Sequence, residues 1–304
     1  MKMKKFIAVL SMAAMIGTLA VGCGKSNEES KGEDAKAEAG SDWDSSMDIT
    51  IVSREDGSGT RGAFIELFGV EEKQGDEKVD MTTEEAQITN STSVMLTTVA
   101  GDEYAIGYVS LGSLDASVKA VKIDGAEATA ENIKNDSYKV SRPFNIATKK
   151  GLDNEVAKDF INFIMSKEGQ EVVAENGYIG DDSAAAFSGS NPSGKVVVGG
   201  SSSISPVMEK LIEAYKAVNA NAEIELQTTD STTGMTSAID GSYDIGMASR
   251  ELKDEEAAEL DSQVIATDGI AVIVNKANTT DELSGDQVKA IYTGEALTWD
   301  EVVE

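Results

Sequence analysis

Ile49-Thr50-Ile51-Val52-Ser53-Arg54-Glu55-Asp56-Gly57-Ser58-Gly59-Thr60 opens with a β-branched run suited to a buried strand. It ends in glycine and hydroxyl residues suited to a turn that starts a helix. The same order recurs in Val196-Val197-Val198-Gly199-Gly200-Ser201-Ser202-Ser203 and in Ile224-Glu225-Leu226-Gln227-Thr228-Thr229-Asp230-Ser231-Thr232-Thr233. A helix start offers unpaired backbone N–H groups at the positive end of the peptide dipole. Hydroxyls and glycines there let a small oxyanion approach closely. Each cluster alone is an ordinary turn with a helix cap; three of them beside one arginine point to an anion receptor.

Outward from these clusters, strand-like and helix-like segments alternate from Asp48 onward, which predicts an α/β fold with mainly parallel pairing. The spacing predicts strands at Ile49–Ser53 and Ala105–Val109, with helices at Arg61–Phe68 and Ser93–Ala100. Asn154–Val173 carries an apolar helical stripe broken near Gly169, and Ala184–Gly194 reads as a linker. The pattern then restarts: strand Val196–Val198, helix Pro206–Val218, strand Ile224–Gln227, helix Gly234–Ile239 and strand Tyr243–Met247. Ser249 is read as the cap of a helix carrying Glu251–Leu260. Strands Val264–Ala266 and Ile270–Val274 and a helix at Gln287–Tyr292 complete the series.

Arg54 raises the first cluster above a simple turn, because guanidinium presents a rigid fork suited to tetrahedral oxyanions. Asp56 is placed to hold that fork, or is an ordinary turn aspartate. No Gly-x-x-x-x-Gly-Lys-Ser/Thr pattern occurs, so this is not a P-loop. Enzymatic chemistry is poorly supplied. With no histidine, imidazole catalysis and histidine metal sites are excluded. Carboxylate runs such as Asp254-Glu255-Glu256 read as solvated helix faces. No metal or cofactor is implied.

The chain has 304 residues, 40% of them apolar and 26% charged, which suits one large or two medium domains. Its start differs from the rest. Met1-Lys2-Met3-Lys4-Lys5 is basic, and an apolar stretch from Phe6 ends in Ala20-Val21-Gly22-Cys23. Residues 1–22 therefore read as an export signal, and Cys23, the single cysteine, as a lipidation site of the bacterial lipobox type. The following segment to Met47 is polar and reads as a flexible tether, with a reach of about 25–30 Å. Net charge is −28, and about −31 once residues 1–22 are removed, which disfavours nucleic-acid binding. An acidic body repels anions at long range, so an anion site here must win by short-range hydrogen bonds.

At these residues the chain resembles the phosphate-binding proteins of bacterial phosphate ABC transporters, a branch of the two-lobed periplasmic-type solute receptors. The resemblance is carried by Ser53-Arg54-Glu55-Asp56-Gly57-Ser58-Gly59-Thr60-Arg61, Ala105-Ile106-Gly107-Tyr108-Val109, Gly200-Ser201-Ser202-Ser203-Ile204-Ser205-Pro206 and Asp244-Ile245-Gly246-Met247-Ala248-Ser249-Arg250-Glu251-Leu252. It implies a type II periplasmic-binding-protein-like α/β fold with the ligand cleft between lobes. The order is unusual: the Arg-x-Asp-Gly-Ser-Gly-Thr loop comes first and the chain ends after Trp299-Asp300-Glu301, as in a circular permutation joined through Ala184–Gly194. One lobe would comprise residues 48–141 and 272–304, the other 142–271, with connections near Ser141-Arg142-Pro143 and Asp268-Gly269-Ile270.

Carried over by position, the resemblance implies phosphate contacts from Arg54, Ser58, Gly59 and Thr60 on one lobe and Ser202, Ser203 and Ser231 on the other. The family often places a proton-accepting aspartate near the position of Ser249 and Arg250, and none stands there. Ser249 and Arg250 are therefore added as contacts, with Asp56 and Asp230 as nearby acceptors. The implied protein is a monomeric, lipid-anchored receptor outside the cytoplasm that delivers inorganic phosphate to a membrane permease. Receptors for sulfate or molybdate, a metal-dependent surface phosphoesterase, and a non-transporting sensor or adhesin are the rival readings.

Overall fold

Thr50–Arg54 forms the expected strand, lying parallel to both Ala105–Ser110 and Gln87–Thr89. The structure is a computed structural model that describes residues 43–75 and 77–303. The export signal, Cys23 and most of the tether lie outside the described residues.

The pairing is mixed rather than mainly parallel. Strand–helix–strand units impose parallel neighbours: Gly194–Ser201 lies parallel to Ala222–Thr229 on one side and Ile245–Ala248 on the other. Between these two parallel groups run two long antiparallel strands, Ser141–Lys149 and Leu260–Val274. The latter is one 15-residue strand where two short ones were expected. Its Leu260–Gly269 part pairs with Ser141–Lys149, with a register shift between Val264 and Ala266, and its Ile270–Val274 part pairs with Ala105–Ser110. A single strand thus belongs to both halves of the sheet.

The buried apolar side chains fall into separate clusters. One draws on residues between Ile49 and Val140 and between Ile270 and Val302, including Val52, Phe64, Tyr108, Tyr292 and Trp299. Phe64 stacks on Tyr108 at 4.0 Å and meets Tyr292 edge-on at 4.6 Å, which ties the Gly59–Leu67 helix to strand Ala105–Ser110 and to the Gly285–Thr293 helix. A second cluster runs from Phe144 to Ala266 and contains Phe160, Phe163, Val198, Leu211 and Tyr215. A small third one gathers Ala147, Met235, Ala238, Ala248 and Leu260.

Local expectations need three corrections. The 154–173 stripe breaks at Met165–Ser166, where the Ser166 hydroxyl caps the Lys167–Glu175 helix, and not at Gly169. Gly169 is inside that helix because a Cβ there would strike the carbonyls of Phe163 and Ile164. Ser249 caps nothing: the next helix is Asp254–Glu259, and Glu256 accepts from the Lys253 N–H at 2.9 Å. Trp43 and Met47 belong to the folded body rather than to a loose tether. Trp43 lies 5.8 Å from Trp299 and 6.2 Å from Tyr104, ring to ring, and donates to the Glu103 carbonyl. The chain's end lies beside this start, with Ile49 N–H bonded to Leu297 O at 2.8 Å and Trp299 N–H to Met47 O at 3.3 Å.

Candidate functional site

The three hydroxyl clusters do meet. Each follows the C-terminal end of a parallel strand and leads into a helix start, the place where α/β sheets hold ligands. Ser58 caps its helix by accepting from Arg61 N–H at 3.3 Å, and Asp230 caps the Ser231–Asp240 helix by accepting from Thr233 N–H at 2.9 Å. Pro206 stands in the first turn of Ser205–Val218, where its missing N–H costs nothing.

From opposite cores, Arg54 Nη2 donates to Ser202 Oγ at 3.1 Å and Thr60 Oγ1 shares a hydrogen bond with Ser203 Oγ at 2.8 Å. Ser201 donates to Ser249 Oγ at 2.9 Å, and Ser249 N–H donates to Ser231 Oγ at 3.1 Å. Gly59 closes the group: a Cβ there would overlap Ser231 Oγ, lie 2.9 Å from Ser249 Oγ and 3.1 Å from Arg250 Cγ. Arg54 is only 2% exposed, and Ser231 and Ser249 are fully buried. Desolvated hydroxyls, amides and a guanidinium gathered at one point are costly unless they are mutually satisfied or meet a charged partner.

Arg54 is held by Glu55, not Asp56. Its Nε and Nη2 donate to the two Glu55 oxygens at 2.8 Å each, a bidentate pair that fixes the guanidinium plane. Asp56 faces solvent, its side chain 98% exposed, and binds Arg61 Nη1. Arg61 also donates to the Arg54 carbonyl and to Asp80, at 2.8 Å each, so it braces the loop from outside. Arg250 also stands apart: its guanidinium grips Glu256 at 2.7 and 2.8 Å, and only its aliphatic stem approaches Gly59. Burial pushes Glu256 up, but the Arg250 hydrogen bonds and charge, with the Lys253 N–H, outweigh it and hold the carboxyl below its ordinary value. Asp230 is spent on its helix, with Oδ2 accepting from Thr233 Oγ1 at 2.6 Å.

One member was missed. Thr92, at the start of the Thr92–Gly101 helix, places its N–H and Oγ1 each 3.3 Å from Ser202 Oγ, and Oγ1 3.4 Å from Ser203 Oγ. Its signal was present in Asn90-Ser91-Thr92-Ser93, a fourth hydroxyl run before a helix. The strand ahead of it, Gln87–Thr89, is three residues long with Ile88 half exposed, too weak a pattern to read. Tyr108 supports the site from below: its hydroxyl meets Ser53 Oγ at 2.9 Å and accepts from Arg54 N–H at 3.1 Å. Burial pushes that phenol up to about 12, so it stays neutral.

A family model described as a PBP superfamily domain matches residues 9–168 and 185–303. Phosphate-binding protein PstS 2 of Streptococcus agalactiae serotype V is 55% identical over 306 residues, covering 99% of each chain. The chain belongs to this family of phosphate-binding proteins. PstS 2 of Streptococcus pneumoniae serotype 4 is 41% identical over 303 residues, covering 99% of this chain and 100% of that one. A crystal structure of a phosphate ABC transporter phosphate-binding protein from S. pneumoniae TIGR4 superposes with a TM-score of 0.67 at 43% identity, covering 84% of this chain and all of the other. The type II α/β fold expected from the motifs is thereby shown, and the family is one of binding proteins, not enzymes.

Proposed function

We propose that this protein binds inorganic phosphate outside the cytoplasm and hands it to the permease of an ABC transporter. The observation that carries the reading is the meeting of four hydroxyl-bearing helix starts and the Arg54 guanidinium at one buried point. Phosphate would take up the donors now spent on one another: the hydroxyls of Thr60, Ser202, Ser203, Ser231 and Thr92, the amides near Ser58 and Gly59, and Arg54. Ser249 orients Ser231. Asp56 and Arg250 are left out of the contact set because their charged ends are committed elsewhere.

The two larger cores are read as the expected lobes, of residues 48–141 plus 270–304 and of 142–269, with Ile270 and Ala271 moved to the first because they pack in its core; they are joined through the paired strands at Ser141–Pro143 and Thr267–Gly269. Because the cluster's hydrogen bonds run between lobes, the described conformation corresponds to a closed cleft, and phosphate exchange requires hinge opening. The neighbouring positions of Met47–Ile49 and Leu297–Trp299 support reading the chain order as a circular permutation. Cys23, after the export signal, would carry the lipid anchor.

Each oxygen of Glu55 already accepts from Arg54, and each oxygen of Asp230 accepts at its own helix start. That favours tetrahedral oxyanions as a class as the second reading, with hydroxyls as the acceptors of a ligand proton. Titration calorimetry on ligand-stripped protein tests both. Phosphate binding well ahead of sulfate supports a phosphate receptor, equal binding supports the broader class, and no heat with either anion would reject the site.

A further inference from the structure

A hydroxyl donates one hydrogen and accepts up to two, so its direction is fixed once groups that can only donate occupy its oxygen. Backbone N–H groups and guanidinium are such donors. Ser202 Oγ receives two of them, Arg54 Nη2 at 3.1 Å and the Thr92 N–H at 3.3 Å. Its own hydrogen is therefore left to be given away. Thr60, Ser203 and Thr92 differ. Among the described residues their hydroxyl oxygens meet only other hydroxyls: Ser203 Oγ lies 2.8 Å from Thr60 Oγ1 and 3.4 Å from Thr92 Oγ1, and Thr92 Oγ1 lies 3.3 Å from Ser202 Oγ. These three can turn either way.

Ser231 is set by a relay behind it. The Ser203 N–H donates to Ser201 Oγ at 3.3 Å, Ser201 donates to Ser249 Oγ at 2.9 Å, and the Ser249 N–H donates to Ser231 Oγ at 3.1 Å. The Ser249 hydrogen is left with Ser231 Oγ, 3.4 Å away, as its acceptor among the described residues. Turning the relay round would strand that hydrogen without an acceptor at a fully buried position. With both lone pairs taken by Ser249, Ser231 can only donate to what lies in the cleft. The charged groups around the relay are Arg54 with Glu55, Arg250 with Glu256, Arg61 with Asp56, and Asp230 at its helix start.

We propose that Ser249, held by Ser201, is a positioning residue that keeps Ser231 a donor, so that the site can receive a ligand proton only at the Thr60–Ser203–Thr92 corner and takes the hydrogen phosphate dianion ahead of the dihydrogen monoanion. This rests on the phosphate-receptor reading. The dianion carries one O–H, which that corner accepts, while its other oxygens face Arg54, Ser202 and Ser231 as donors. The monoanion carries a second O–H, which must point at a hydroxyl whose oxygen is already filled. A site built to hydrogen-bond one protonation state rejects another that leaves buried polar groups unpaired.

The test is calorimetry with inorganic phosphate on wild type and Ser249→Ala between about pH 8 and about pH 5.5, a range in which ordinary carboxylates and arginines keep their charge. Wild-type affinity for total phosphate should fall by about ten-fold for each pH unit below phosphate's own second ionisation, because only the dianion is competent. Ser249→Ala keeps the backbone N–H but frees one lone pair of Ser231, which can then accept a second ligand proton. Its affinity relative to wild type should therefore rise roughly three- to ten-fold from the higher pH to the lower. Charged groups common to both proteins cancel in that ratio. Ser201→Ala, which releases Ser249 to turn, should shift the ratio the same way and serves if Ser249→Ala does not fold. A variant weakened equally at every pH, as a merely structural role requires, or a wild-type affinity that does not fall, overturns the proposal while leaving the receptor reading intact. No phosphate binding by wild type overturns both.

Discussion

Gly59→Ala isolates lobe closure from everything else at the site. Gly59 opens the Gly59–Leu67 helix, and its φ lies outside the left-handed region, so alanine fits the backbone. Within its own lobe the change should be neutral or stabilising, by up to about 0.5–1 kcal/mol, because alanine loses less backbone freedom on folding. Across the cleft it is different. The new methyl would overlap Ser231 Oγ and press on Ser249 Oγ at 2.9 Å and Arg250 Cγ at 3.1 Å. Ser231 and Ser249 are fully buried and hydrogen-bonded to each other, so neither has room to yield. Overpacking of this kind costs about 1–3 kcal/mol, and here that cost falls on the closed form alone. Phosphate affinity should drop by about five- to 150-fold, with thermal stability of the ligand-free protein kept or raised. Calorimetry paired with a melting curve reads both, and small-angle scattering should show a wider ligand-free particle. Unchanged affinity in a folded Gly59→Ala protein would refute the claim that these loops close on one another.

Other outcomes follow from the same geometry. Arg54→Ala should weaken phosphate binding at least about 100-fold, through loss of a desolvated charge-assisted contact, and Arg54→Lys should recover only part, since lysine cannot hold Glu55 and the anion at once; calorimetry checks both. Trp43→Ala should cost about 1–3 kcal/mol of stability by removing the contacts to Tyr104 and Trp299, with phosphate affinity unchanged; denaturant unfolding measures it, and an unmoved midpoint would return Trp43 to the tether. Glu256→Gln should lose about 1–3 kcal/mol at neutral pH. Because the folded carboxyl titrates below its ordinary value, that stabilisation is present above the unfolded value and disappears as pH falls through the folded one. Wild-type and variant melting temperatures should therefore converge once the pH has fallen below the lowered folded-state value of this carboxyl.

The fold was legible wherever chemistry was local. Strand Thr50–Arg54 and its glycine–hydroxyl turn, the Pro206 helix start and the apolar stripe of Glu155–Ile164 each announce themselves within a dozen residues. Long-range pairing was not legible. Ser141–Lys149 contains Arg142, Pro143 and Asn145 and is buried on both faces along most of its length, so it shows no alternation. The Leu260–Val274 strand looked like two because Asp268 and Gly269 interrupt its apolar run; their reason is a partner 126 residues away in sequence. At the site the limit is side-chain direction. The hydroxyls could be found from their helix starts, but whether Glu55 or Asp56 holds Arg54, and whether Arg250 turns inward, depends on which way Arg61 and Glu256 point, which a spacing of five or six residues does not give.

The most direct test of the account is a crystal structure of the protein grown with phosphate. Density for one tetrahedral anion is expected between the cores, within hydrogen-bond distance of Arg54, Thr60, Ser202 and Ser231 together. An anion bound to one core alone, or anywhere outside that group, would contradict it.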